Sequence, residues 1–196
     1  MAFGRSPDLA KQSVVVYFFY AQSSHTSSPV DLAPLDSHYT SVLWQPAMGG
    51  LVPSGISKVP FAAWWLLHSL HVFRNRDYAM FVIYDGDRVI HRSLVFPGYF
   101  RFPFMAKNDL QIGDTWTLPE YRGQGLASLA VGAIVGACRR PGRAFWYVVD
   151  QNNLASIRAI EKSGFVKIGE GIRTKRFGLR ALGAFVIVQR QSTLQN

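Results

Sequence analysis

The stretch Thr117-Leu118-Pro119-Glu120-Tyr121-Arg122-Gly123-Gln124-Gly125-Leu126-Ala127 has the grammar of a strand that ends, turns at a proline and enters a helix through glycines. Upstream, Asp109 to Trp116 reads as a strand; downstream, Ser128 to Arg139 reads as a helix. Glycine lets backbone approach a ligand closely, and a helix N-terminus offers unpaired N–H groups at the positive end of its dipole. Such a loop can hold a pyrophosphate, so an anionic ligand is the first expectation. Two other phosphate loops are excluded. A P-loop ends in Gly-Lys-Ser/Thr and a dinucleotide fingerprint needs G-x-G-x-x-G. Here Gly123 and Gly125 are followed by Ser128, with no third glycine in the required place.

A second segment follows the same grammar. Phe145-Trp146-Tyr147-Val148-Val149-Asp150 is a short β-branched and aromatic run, followed by the polar turn Gln151-Asn152-Asn153. Leu154, Ile157 and Ile160 then recur at helical spacing, with Asn153 placed to cap the helix. Gly164 supplies a left-handed residue to close it, and Phe165 is placed to pack back onto it.

Arg122-x-x-Gly125-x-Ala127 resembles the acyl-CoA-binding motif of the GCN5-related N-acetyltransferases (GNAT). Asn153-x-x-Ser156 followed by Glu161-Lys162-x-Gly164-Phe165 looks like the second segment of the same family, in the family's order. The resemblance spans Leu110 to Val188. It implies a single α/β domain over residues 1–196, with a central mixed, mostly antiparallel sheet flanked by helices. Splayed central strands would hold acyl-CoA. Residues 109–196 would be the acyl-CoA-binding core, and residues 1–108 a variable half carrying acceptor-site elements.

The family likeness assigns roles by position. Backbone N–H groups of Gln124, Gly125, Leu126 and Ala127 would bind the pyrophosphate of acetyl-CoA, with Arg122 and Gly123 shaping the loop. Trp116, Thr117 and Leu118 would pair with the pantetheine arm, and Asn153 and Ser156 would lie near the thioester. The expected chemistry is direct attack of a primary amine on the thioester carbonyl, with a backbone N–H near Leu118 as oxyanion donor. Many relatives carry a tyrosine acid in the short helix; the matching residue here is Ile160. Ser156 is the candidate acid in its place, and water is the other. His91 is the first candidate base, because alternation puts it on the face opposite Ile90 and an imidazole near its reference pKa of about 6.5 could take a proton from an ammonium. Asp114 is the second; Glu120 also flanks the reacting strand.

Composition agrees with one globular domain of 196 residues. Cys138 is the single cysteine, so no disulfide framework can form within the chain, and its expected place is the apolar face of the helix after the loop. No metal is expected. The net charge of +9 comes from scattered clusters with no long basic tract, which argues against a nucleic-acid module. Arg139, Arg140 and Arg143 are candidates for phosphate contact or for the helix C-terminus. Met1 to Pro7 lacks the apolar centre of a secretory signal. Val59 to Phe73 falls short of the roughly 20 apolar residues of a membrane span. A cytoplasmic protein without a membrane span is the expectation, with a homodimer open.

The remaining order reads as a strand over Ser13 to Tyr20, a helix over Lys58 to Asn75, and a hairpin of Tyr78 to Tyr84 with Arg88 to Phe96 around Asp85-Gly86-Asp87. After Val166 to Gly169, the last strand runs from Leu182 to Gln189. Ala21 to Ser57, rich in Ser, Pro and Gly, reads as a long binding loop. The aromatic run from Phe96 to Met105 is expected to wall an acceptor or acyl pocket or a dimer surface. A narrower resemblance, to relatives in bacterial surface polysaccharide assembly, suggests a nucleotide-linked amino sugar as acceptor. A protein α-amine, a small amine, or a sensor that binds acyl-CoA without transfer are the rivals.

Overall fold

The computed structural model describes residues 15–23, 35–46 and 52–190. The reading of Met1 to Pro7, the start of the first strand at Ser13, and parts of the Ser/Pro-rich stretch lie outside them. Eight strands form one sheet: β1 (Val16–Ser23), β2 (Tyr39–Trp44), β3 (Ala79–Asp85), β4 (Arg88–Pro97), β5 (Leu110–Thr117), β6 (Ala144–Asp150), β7 (Val166–Arg173) and β8 (Phe185–Arg190). Their spatial order is β2-β3-β4-β5-β6-β1-β7-β8. Every neighbouring pair is antiparallel except β5 and β6. Three α-helices accompany the sheet: α1 (Val59–Ser69), α2 (Leu126–Cys138) and α3 (Leu154–Lys162). The mixed α/β architecture expected from the two motifs is the one observed.

Alternation explains the two layers. On β3, Ala79, Phe81 and Ile83 join the core under α2, while Met80, Val82 and Tyr84 face the opposite side. Both faces of the strand are therefore covered, which its uninterrupted apolar run requires. The first layer takes Leu126, Ala130, Val131 and Ile134 from α2 and Ile160 from α3. The second takes Phe61 and Trp64 from α1, with Phe73, Tyr99, Phe102 and Met105. Cys138 ends α2 in the first layer, where burial raises its thiol pKa.

Three expectations change. The stretch from Ala21 to Ser57 is not one loop, because β1 extends to Ser23 and Tyr39 to Trp44 pairs with β3. Val42, Leu43 and Trp44 close β2 and are set as strand residues by their pairing with β3. The helix predicted to Asn75 stops at Ser69, where His71 adopts a left-handed φ of 58°. Much of the aromatic run from Phe96 to Met105 is packing: Phe96, Tyr99, Phe102 and Met105 are at most 5% exposed, whereas Phe100 is 42% exposed.

Candidate active site

The loop before α2 is built as its sequence requires. After Pro119–Tyr121 makes one 3-10 turn, Gly123 and Gly125 both take φ = +80°. A side chain there would be strained, and a Cβ at either position meets nothing within 4 Å. Both glycines border the cleft, so the backbone presents itself bare to whatever enters. Gly125 caps α2 without any side-chain hydrogen bond, and no acidic residue sits in the first turn. Leu126 and Ala127 line the opening at this helix start, where the first backbone N–H groups of a helix lack intrahelical partners.

The cleft itself comes from a ladder that stops early. β5 and β6 pair only from Leu110–Phe145 to Ile112–Tyr147. Beyond that point, residues 113–117 of β5 have no partner on the β6 side, which leaves backbone groups for an extended ligand. The opening holds about 560 Å³ and runs from Thr115, Trp116 and Thr117 to the glycine loop and α3. Among the described residues it is lined by three cations, Arg122, Arg158 and Lys162, and by no carboxylate. Arg158 and Lys162 lie one helical turn apart on α3, a spacing legible in the sequence but not singled out there.

The cations named in the sequence reading lie elsewhere. Arg139, Arg140 and Arg143 follow the C-terminus of α2, whose 13 residues at 1.5 Å each span about 20 Å from the loop. Arg143 is 2% exposed and donates to Asp77, to the Cys138 carbonyl and to the Asn108 carbonyl. Arg140 pairs with Asp77 at 3.1 Å. They tie that end of α2 to the sheet.

α3 brings the second segment to the cleft. Asn153 caps it by accepting the Ser156 N–H at 3.1 Å, and both residues line the opening. Gly164, at φ = 82°, closes it as its spacing predicts. Ile160 also borders the cleft, so the hydroxyl that many relatives carry there is missing. Tyr147, the last β6 residue paired with β5, lines the opening together with Thr115 and Ser156. The strand reading contained Tyr147 but gave no sign of its direction, because the fork between β5 and β6 is a tertiary feature.

His91 does not touch the cleft. The β3–β4 register slips between Ile83 and Tyr84, so Ile90 is an extra residue and His91 lies opposite Ile83. Cross-strand partners share a face, and simple alternation from Ile90 therefore fails. His91 is 0% exposed, with Nδ1 2.8 Å from the Thr117 hydroxyl and Nε2 3.1 Å from that of Ser93. Burial, then the charge of Arg92, lowers its pKa to about 4. It is neutral and sealed, and cannot meet an amine directly.

Asp114 occupies the matching irregularity on β5, with φ = 46°. It accepts from Arg92 at 2.8 Å, while the Arg92 guanidinium lies over the Phe61 and Trp116 rings. Leu118 is placed differently from expectation: its N–H donates to the Ile90 carbonyl at 2.9 Å and is not free for an oxyanion. Arg122 Nε donates to the Thr117 carbonyl at 3.1 Å, bracing the loop. The Gln124 side chain accepts from Tyr39 at 3.4 Å. Glu120 is drawn to Arg88. On the α1 side a second hollow of about 490 Å³ is bordered by Phe61, Asp87, Arg88, Arg92 and Trp116. Trp116 borders both spaces.

The sequence matches the family model described as Acetyltransferase (GNAT) family over residues 43–165, from the end of β2 through the close of α3. The chain belongs to the GNAT acetyltransferase family. Solved structures agree on the fold. A tandem GNAT protein from the clavulanic acid biosynthesis pathway superposes with a TM-score of 0.57 at 12% identity, over 79% of this chain and 51% of its own. A Drosophila protein gives 0.52 at 15% identity, over 80% and 48%. A GNAT-family acetyltransferase from Colwellia psychrerythraea gives 0.51 at 14% identity, over 78% and 53%. The chain spans about half the length of these three structures. No curated protein matches it. In this GNAT domain no described helix is long and apolar enough to cross a membrane, and no described group of His, Cys, Asp or Glu is placed to hold a metal.

Proposed function

We propose that the chain is an N-acyltransferase that moves an acetyl group from acetyl-CoA to a primary amine. The observation that carries this is the cleft: bare glycine backbone, an uncapped helix N-terminus and three cations, with no carboxylate among its described lining residues. Those features suit the pyrophosphate, and the unpaired edge of β5 suits the amide-bearing pantetheine arm. Gln124, Gly125, Leu126 and Ala127 would hold the phosphates, with Gly123 and Arg122 keeping the loop in place. Trp116 and Thr117 would meet the arm, and Asn153 and Ser156 would flank the thioester.

The acceptor would approach through the α1-side hollow, since Trp116 borders both spaces. Arg88 and Arg92 border it beside Asp87, and the acceptor would be a nucleotide-linked amino sugar whose phosphates lie against the two guanidiniums. The amine's proton would leave to solvent beside Asp114, the half-exposed carboxylate on Arg92. His91 would act only through its neighbours. A cleft open to solvent and a hydroxyl at Tyr147 both support transfer over a sensor that only binds acyl-CoA.

The test is thiol release from acetyl-CoA with spermidine, a peptide with a free α-amine, glucosamine and a nucleotide-linked amino sugar. Amine-dependent release with the acetylated amine as product supports the reading. Bound acetyl-CoA that no amine discharges would refute it.

A further inference from the structure

The connection from β7 to β8 carries charge of one sign. Residues 171–190 hold Arg173, Lys175, Arg176, Arg180 and Arg190, with no aspartate or glutamate. Lys175, Arg176 and Arg180 are exposed and make no ion pair among the described residues. Apolar side chains stand open to water among them, Phe177 at 82% exposure and Leu179 at 57%.

The backbone of this connection is firmly tied. At its base the Thr174 N–H donates to the Ala184 carbonyl at 2.8 Å, and the Ala184 N–H donates to the Thr174 hydroxyl at 2.9 Å. Gly183 permits that closure, because a Cβ there would collide with the Thr174 carbonyl oxygen. At the tip, Arg176 and Leu179 exchange backbone hydrogen bonds of 3.0 and 3.1 Å around the two-residue turn Phe177-Gly178. Both turn residues have positive φ, 52° and 75°. Glycine or asparagine suits the first of these positions, and a phenylalanine there is strained. The strain serves no packing inside the fold. The ring is left in water, with the Arg176 guanidinium 5.5 Å from its centroid.

We propose that this tip docks the protein on an anionic lipid surface. Phe177 and Leu179 enter the boundary between headgroups and acyl chains, and Lys175, Arg176 and Arg180 meet the headgroup phosphates and carboxylates. Charge and shape both select this partner. Cations on either side of a protruding apolar apex complement a surface that is negative outside and apolar beneath. The apex is the end of a hairpin, so a rigid protein would need a pocket shaped to it, whereas lipid yields around it. Position gives the docking a use. β1 runs antiparallel to both β6 and β7, and β6 runs parallel to β5. β5 and β7 therefore end at the same edge of the sheet. A docked tip turns toward the bilayer the Thr117 end of β5, which borders the cleft. Docking requires no acyl transfer, so it stands or fails apart from the acyltransferase reading.

The experiment sediments the full chain with vesicles of phosphatidylcholine and with vesicles that also carry phosphatidylserine, and titrates it separately with single-stranded RNA. Wild type, Phe177→Gly and the double variant Lys175→Gln/Arg176→Gln are compared, each with a thermal melt. Wild type should pellet with the phosphatidylserine vesicles and stay in solution beside the neutral ones. Phe177→Gly should lower that partition roughly tenfold and melt no lower than wild type, because glycine relieves the turn. The charge variant should lower it on the order of twentyfold, by less in high salt. No binding to either vesicle, equal binding to both, or a Phe177→Gly partition equal to that of wild type would overturn the proposal. RNA binding tighter than vesicle binding, weakened by the charge variant alone, would overturn it in favour of a nucleic-acid partner.

Discussion

The Thr117 hydroxyl stands 2.8 Å from Nδ1 of the fully buried His91. A surface threonine of the cleft is thereby coupled to an imidazole that no substrate can reach. The neutrality of that imidazole has consequences that do not depend on catalysis.

Acid should destabilise the fold through His91. Burial first and the Arg92 charge second lower its folded pKa to about 4, whereas an unfolded histidine titrates near 6.5. The unfolded state therefore binds the proton first as pH drops. The stabilisation is present above about 6.5 and is lost as pH falls toward 4, amounting to at most about 3 kcal/mol. Urea unfolding at neutral pH and near pH 4.5 checks this. His91→Gln should be less stable at neutral pH, where buried hydroxyls lose their partners, yet lose less stability on acidification. Parallel losses in the two proteins would contradict it.

Arg158 and Lys162 should each contribute to cofactor affinity. Replacing either with alanine is expected to weaken acetyl-CoA binding about three- to tenfold, a difference that shrinks in high salt because both groups are accessible. Arg140→Ala, which breaks only the pair with Asp77 at the far end of α2, serves as the control. Calorimetric titration at two salt concentrations separates the outcomes.

Arg92 should govern the acceptor and not the cofactor. It borders the α1-side hollow with Asp114 and two aromatic rings arranged around its guanidinium. Arg92→Gln is expected to raise KM for an anionic amine about tenfold while acetyl-CoA Kd holds. A changed acetyl-CoA Kd with unchanged KM would place Arg92 on the wrong side of the reaction.

Local chemistry made much of this legible in the sequence. Gly123, Gly125 and Gly164 adopt the left-handed backbone that their positions require, and Asn153 caps α3. The family resemblance rested on those residues, and the fold followed from it. What escaped was set by tertiary context. β2 is a strand because β3 lies beside it, His91 changes face because Ile90 is an extra residue, and Tyr147 borders the cleft because β5 and β6 part at its position. No periodicity in a single chain segment records any of these. Arg140 and Arg143 drew attention as a cluster of charge, but their carboxylate partner, Asp77, lies far away in sequence.

The most direct test of the central claim is acetyl-CoA binding by wild type, Gly125→Asn and Gly125→Glu, measured by calorimetry beside thermal melts. Gly125 sits at φ = +80° with open space before it, so a glutamate there projects a carboxylate into the cleft. Asparagine tolerates the left-handed backbone and adds no charge. The wild type should bind, Gly125→Asn should retain weaker binding, and Gly125→Glu should show none while still melting cooperatively. Binding by a folded Gly125→Glu within about threefold of wild type would mean that the phosphates are held elsewhere.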